Sequence, residues 1–113
     1  VDPGSTELRV VLTDPATADL DEIWFENAER LGIEQADEYR RFLLAETEKL
    51  LDYHRFGTRV PTRREFQYMT FKVRSSAFGH VCIYRVTAST IEVLRYFHTS
   101  QDWQRYAGQI RAN

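Results

Sequence analysis

The spacing of apolar residues changes character once along this chain, and the change divides it into a helical half and a strand half. Leu20, Ile23, Trp24, Ala28 and Leu31 recur at steps of three and four, and Ile33, Ala36, Tyr39, Leu43, Leu44, Leu50 and Leu51 follow at helical spacing. An α-helix turns once in about 3.6 residues, so each set falls on one stripe. Gly32 separates the two sets by a single residue, which predicts an αα-hairpin whose second helix runs over residues 33–53. Past Gly57 the helical period is lost, Pro61 breaks the chain, and β-branched and aromatic residues fill the runs 66–74, 80–87 and 90–98 at hairpin spacing. Upstream, residues 8–13 read as a first strand, with Asp14 as helix cap and Pro15 at the first helical position. The expected architecture is α+β, in the order β-αα-βββ, with the helical hairpin packed on a small antiparallel sheet. Residues 101–109 add a terminal helical turn.

A tight connection at Ala88-Ser89 sets the expected register of the last hairpin. Val86 then opposes Ile91, Tyr84 opposes Val93 and Cys82 opposes Arg95 on one face, while Arg85 meets Glu92 and Ile83 meets Leu94 on the other. The first set is mostly apolar and is expected under the helices, because so small a sheet must bury a face against something.

Charge follows the same division. Residues 1–52 hold 14 acidic and 5 basic side chains, and residues 53–113 hold 3 acidic and 10 basic, so a near-neutral total of −2 conceals an acidic helical half and a basic strand half. Two surfaces of opposite potential on one domain imply different partners, and the basic half is the expected contact surface for a macromolecular target. A length of 113 residues suits one domain, taken as 8–113, with residues 1–7 read as a disordered tail or expression remnant. An apolar content of 42% excludes a disordered chain. No apolar run approaches the roughly 20 residues that cross a bilayer, so a cytoplasmic protein without membrane contact is expected. The single Cys82 lies in an apolar run and reads as a packing thiol. His54, His80 and His98 lack metal-site spacing, and neither metal nor cofactor is expected.

Several segments resemble, in order and spacing, the RelE/ParE superfamily of type II toxin–antitoxin toxins. They are Leu12-Thr13-Asp14-Pro15-Ala16 leading into Asp19-Leu20-Asp21-Glu22-Ile23, the Gly32 junction followed by Ala36 and Tyr39, Gly57, Ile83-Tyr84-Arg85-Val86, and Ile91-Glu92-Val93-Leu94-Arg95 running into His98 and Gln101-Asp102. The resemblance covers nearly the whole chain. It implies a bacterial growth-inhibiting toxin neutralised by a cognate antitoxin in a hetero-oligomer. RelE-like members cleave messenger RNA on the ribosome, whereas ParE-like members poison DNA gyrase.

Metal-free RNA cleavage needs a base, an acid and cations around the phosphate. RelE-like enzymes resemble one another in placing an arginine three residues before the aromatic of the central strand, where this chain has Val81 before Tyr84. A ribonuclease would have to draw on His80, Lys72, Arg74, Arg95 and His98. ParE-like chains commonly close the last strand with a histidine and an aspartate a few residues on, which His98 and Asp102 match. The residues therefore favour a non-enzymatic gyrase inhibitor, with the ribosome-dependent ribonuclease and an inactive toxin-like interaction domain as alternatives. Target-binding candidates are Arg63, Arg64, Arg74, Arg95, His98, Asp102 and Trp103.

Each has a structural reading too. His98 and Asp102 can fix the turn after the last strand, Arg63 and Arg64 can guard a sheet edge, and Trp103 with Tyr106 can cap the core. Arg85 and Glu92 read as an exposed cross-strand pair. Such antitoxins usually lay a helical tail over the toxin, and Phe25, Tyr39, Phe42, Tyr53 and Phe56 are the candidates to line its groove.

Overall fold

The computed structural model describes residues 7–111, so all but the last residue of the expected N-terminal tail lies outside the described residues. Strand β1 (Arg9–Leu12) runs into helix α1 (Asp14–Leu31) through Thr13. The Thr13 hydroxyl accepts from the Ala16 amide at 3.3 Å and donates to the Val93 carbonyl at 2.9 Å, so it caps the helix and ties its start to the sheet. The cap is thus Thr13, one residue before the expected Asp14, and Asp14 and Pro15 fill the first turn. Gly32 ends α1 at φ 95°, a conformation that costs little without a Cβ, and α2 (Ile33–Glu48) starts at once. The expected second helix of 33–53 stops early, at Glu48, and continues as the single turn α3 (Leu50–Tyr53) and a 3₁₀ turn, His54–Phe56. Thr47 bonds back to the Leu43 carbonyl at 2.7 Å and meets the Tyr96 hydroxyl at 2.7 Å, a back-bond of the kind that bends a helix.

Strands β2 (Thr58–Val60), β3 (Arg63–Phe71), β4 (His80–Val86) and β5 (Thr90–His98) complete a five-stranded sheet in the order β1-β5-β4-β3-β2. β1 joins β5 in parallel and the other pairs are antiparallel. β2 was not expected, because Pro61 reads as a break in the sequence and is instead part of the tight β2–β3 connection. β3 lies three residues earlier than expected, so Lys72 and Arg74 lie in the exposed β3–β4 loop rather than on a strand. Helix α4 (Trp103–Ala107) is the expected terminal turn.

The β4–β5 register follows expectation from Val86↔Ile91 through Arg85↔Glu92 to Tyr84↔Val93 and then shifts by one residue. Beyond the bulge Ile83 pairs with Arg95 and Cys82 with Tyr96, so the expected Cys82–Arg95 and Ile83–Leu94 pairs do not form. The physical gain is burial on both faces. Val93 and Tyr96 enter the core under the helices, Leu94 and Phe97 enter a second core on the far face, and Arg95 is removed from both.

The helix-side core joins Ala16, Leu20, Leu43 and Leu50 to Cys82, Tyr84, Ile91, Val93 and Tyr96. The far-side core joins Val60, Phe66, Val81, Ile83, Leu94 and Phe97 to Ala107 of α4. A sheet apolar on both faces needs two covers, and α4 with its flanking residues provides the second. Two buried faces replace the single one expected from the sequence. Arg85 grips Glu92 Oε1 through Nε at 3.0 Å and Nη2 at 2.7 Å, the expected pair, although half-buried rather than exposed. Helical spacing overstated the buried stripe: Leu31, Ile33, Leu44 and Leu51 are exposed. Asp37 is half-buried and accepts from Trp24 Nε1 at 2.8 Å, which locks α2 to α1. No helix among the described residues is long and apolar enough to cross a membrane.

Candidate functional site

A groove of about 570 Å³ opens between the helical hairpin and the β3–β4 loop, with Leu31, Tyr39, Phe42, Phe78, His80 and His98 in its lining. Its polar heart is a chain of three side chains. The Tyr39 hydroxyl stands 2.6 Å from His80 Nδ1, and the His80 ring meets the His98 ring edge-on at 5.2 Å. His80 is buried, and burial followed by the neighbouring His98 pushes its pKa down to about 4, so it is neutral at pH 7. Burial pushes Tyr39 up to about 12. The protonated phenol therefore donates to Nδ1, which leaves the His80 proton on Nε2. His98 Nδ1 is held at 2.6 Å by the Ser100 hydroxyl, and the His98 amide donates to Gln101 Oε1 at 2.8 Å. The turn after β5 is thus fixed by Ser100 and Gln101. Asp102, expected to share that work, sits exposed at the start of α4 and makes no side-chain cap bond.

The cation candidates divide into those already engaged and those open to solvent. Arg95 donates from Nε to Asp19 Oδ2 at 2.6 Å and from Nη2 to Oδ1 at 2.9 Å, while the buried Tyr96 amide donates to Oδ2 at 2.9 Å. Asp19 holds the guanidinium charged, and the pair staples α1 to β5. In the sequence Asp19 stands out only as part of the Asp19-Leu20-Asp21-Glu22-Ile23 motif. The available signal was an acid sitting beside Leu20 on the apolar stripe between Ala16 and Ile23. Arg63 is engaged as well, donating to the Gly108 and Ile110 carbonyls at 3.3 and 2.5 Å, with its guanidinium carbon 4.4 Å from the Phe66 ring centre. Its role is to tie the C-terminal segment down. Trp103 packs on Tyr68 at 4.5 Å and caps the far-side core. Arg64, Lys72 and Arg74 remain exposed.

Of the five residues that a ribonuclease would use, His80 and His98 touch, Lys72 and Arg74 stand in the exposed loop, and Arg95 is committed to Asp19. The five antitoxin-groove candidates do not line one groove. Tyr39 and Phe42 belong to the groove above. Tyr53 and Phe56 flank a separate recess of about 390 Å³ with Met69 and Phe71. Phe25 is exposed against the Trp24 ring.

The architecture is that of a known class of small α+β toxins. It matches a chain of the solved chromosomal ParDE toxin–antitoxin system from P. aeruginosa with a TM-score of 0.70 and 22% identity, covering 81% of this chain and 96% of that one. Among curated proteins, Toxin ParE1 of Caulobacter vibrioides is 32% identical over 97 residues, 86% of this chain and 95% of the relative. Toxin ParE1 of Mycobacterium tuberculosis is 33% identical over 98 residues, again 86% and 95%. Residues 10–103 match the family described as the ParE toxin of the type II toxin–antitoxin system parDE, and the chain belongs to that family.

Proposed function

We propose that this toxin arrests growth by binding and poisoning DNA gyrase, without making or breaking a bond itself, and that a cognate ParD-like antitoxin neutralises it in a cytoplasmic hetero-oligomer. The observation that carries the reading is Val81. RelE-like enzymes resemble one another in placing an arginine at that position, and here the residue is 1% exposed in the far-side core. A guanidinium would not fit there without an uncompensated buried charge. The engagement of Arg95 by Asp19 and of His80 Nδ1 by the Tyr39 hydroxyl also argues against an assembled acid–base site.

The antitoxin reading is supported by the groove. Exposed Leu31 and Phe78 and half-buried Tyr39 and Phe42 suit the apolar side of an amphipathic segment, and Glu26 and Glu38 on the rim suit its basic side chains. Purified toxin added to gyrase, relaxed plasmid and ATP is expected to inhibit supercoiling. Primer extension on translated message is expected to show no codon-linked cuts, and cuts lost in His80→Ala would replace this reading with the ribonuclease.

A further inference from the structure

Three arginines without an ion pair among the described residues lie on the outermost strand of the sheet or beside it. β2 is the last strand in the sheet order, so no further strand pairs with its outward side. Arg59 on β2 and Arg64 on β3 are both exposed, and Arg59 Nη1 donates to the Arg64 carbonyl at 2.9 Å, which places them together. Arg55 lies in the 3₁₀ turn just before β2. None of the three makes an ion pair among the described residues, whereas Arg40, Lys49, Arg63, Arg85 and Arg95 each do.

Side chains of the neighbouring strands hold the backbone beneath them. The Tyr84 hydroxyl and Gln67 Nε2 both donate to the His54 carbonyl, at 2.6 and 3.1 Å, and Gln67 also reaches the Gly57 carbonyl at 3.2 Å. Strands β3 and β4 therefore hold the turn that carries Arg55 and leads to Arg59. A pinned backbone lowers the ordering cost of binding. Protection of an edge against self-pairing explains a charge or two on a strand, but β2 is only three residues long and already a poor template. Guanidinium groups fork onto phosphate oxygens, and exposed cations along a sheet edge suit a backbone whose affinity comes from counterion release.

We propose that Arg55, Arg59 and Arg64 form a phosphate-binding edge for double-stranded DNA, the segment presented by the toxin's target. The proposal rests on the gyrase reading only for the source of that DNA, since binding is measured on the toxin alone. Fluorescence anisotropy of a labelled duplex, titrated with toxin over a range of salt, gives the slope of log K against log salt. Each phosphate contact contributes about 0.9 to that slope, so Arg55→Gln/Arg59→Gln/Arg64→Gln is expected to reduce it by between about 2 and 3. Lys72→Gln/Arg74→Gln removes charge from the β3–β4 loop and is expected to leave it nearly unchanged. Unaltered circular dichroism and melting of both variants show that the fold is kept.

Wild-type toxin without salt-dependent binding would overturn the proposal, as would an unchanged slope in the triple variant or an equal loss per charge in the loop variant. A triple variant that fails to bind gyrase even without DNA would point to an acidic protein surface and also overturn it. Toxin that binds DNA through these arginines yet leaves gyrase untouched would keep this inference and defeat the gyrase reading.

Discussion

Asp19→Ala is the substitution that separates a structural Arg95 from a target-binding one. The carboxylate is 10% exposed and accepts three bonds, two from the Arg95 guanidinium and one from the Tyr96 amide. Removing it strands the Tyr96 amide inside the protein, which costs about 1–3 kcal/mol. The Arg95 side chain is 36% exposed and regains water, so its lost charged bonds are discounted to about 1 kcal/mol. The sum is about 2–4 kcal/mol, which for a domain of this size lowers Tm by about 10–20 °C. Urea unfolding of wild type, Asp19→Ala, Arg95→Gln and the double variant measures it. The double variant is expected to lose less than the two single losses added, because the partners share one interaction. Arg95→Gln should lose less than Asp19→Ala, since the carboxylate keeps the Tyr96 amide. A loss below about 0.5 kcal/mol in Asp19→Ala would refute the staple and return Arg95 to the pool of target contacts.

Gly57→Ala is expected to destabilise by about 2–4 kcal/mol, because the new methyl would overlap the Tyr84 hydroxyl and lie 2.8 Å from its Cζ and 3.2 Å from the Tyr68 carbonyl oxygen. Gly57→Ala/Tyr84→Phe should recover part of that loss in chemical denaturation, and no recovery would locate the clash elsewhere. His80 has a folded pKa pushed down to about 4, so stability present above its unfolded value near 6.5 is lost as pH falls between the two. The loss amounts to about 3 kcal/mol, and His80→Gln should flatten the fall in urea midpoint between pH 7.5 and 4 relative to wild type. An identical pH profile would show that His80 does not titrate as a buried neutral group. Val81→Arg should not create a ribonuclease but should unfold the protein at ordinary temperature, by about 3–5 kcal/mol of buried unpaired charge. A folded, RNA-cleaving variant would contradict the placement of that side chain.

Element order and the hairpin of helices were legible because period is a local property: three-and-four spacing over α1 and α2 and β-rich runs after Gly57 each need only their own residues. Register was legible as far as the turn controls it. From Val86 to Tyr84 the pairing follows Ala88-Ser89, but the bulge exists to bury Val93, Leu94, Tyr96 and Phe97 on two faces at once, and only the packed sheet reveals that demand. β2 was missed for a related reason, since three residues beside a proline carry almost no pattern until β3 pairs with them. Site candidates fared unevenly. Composition marks Arg63 and Arg95 as cations without saying that one holds the C-terminal carbonyls and the other holds Asp19. Arg55 and Arg59 attracted no attention because nothing in the sequence brings a turn, an edge strand and Arg64 together.

The effect of the toxin on gyrase tests the proposed activity most directly. Pure toxin incubated with gyrase and plasmid, then treated with detergent and protease, is expected to release linear DNA in a gyrase-dependent and dose-dependent manner. Uninterrupted supercoiling with no linear product, at toxin concentrations that arrest growth in cells, would contradict it.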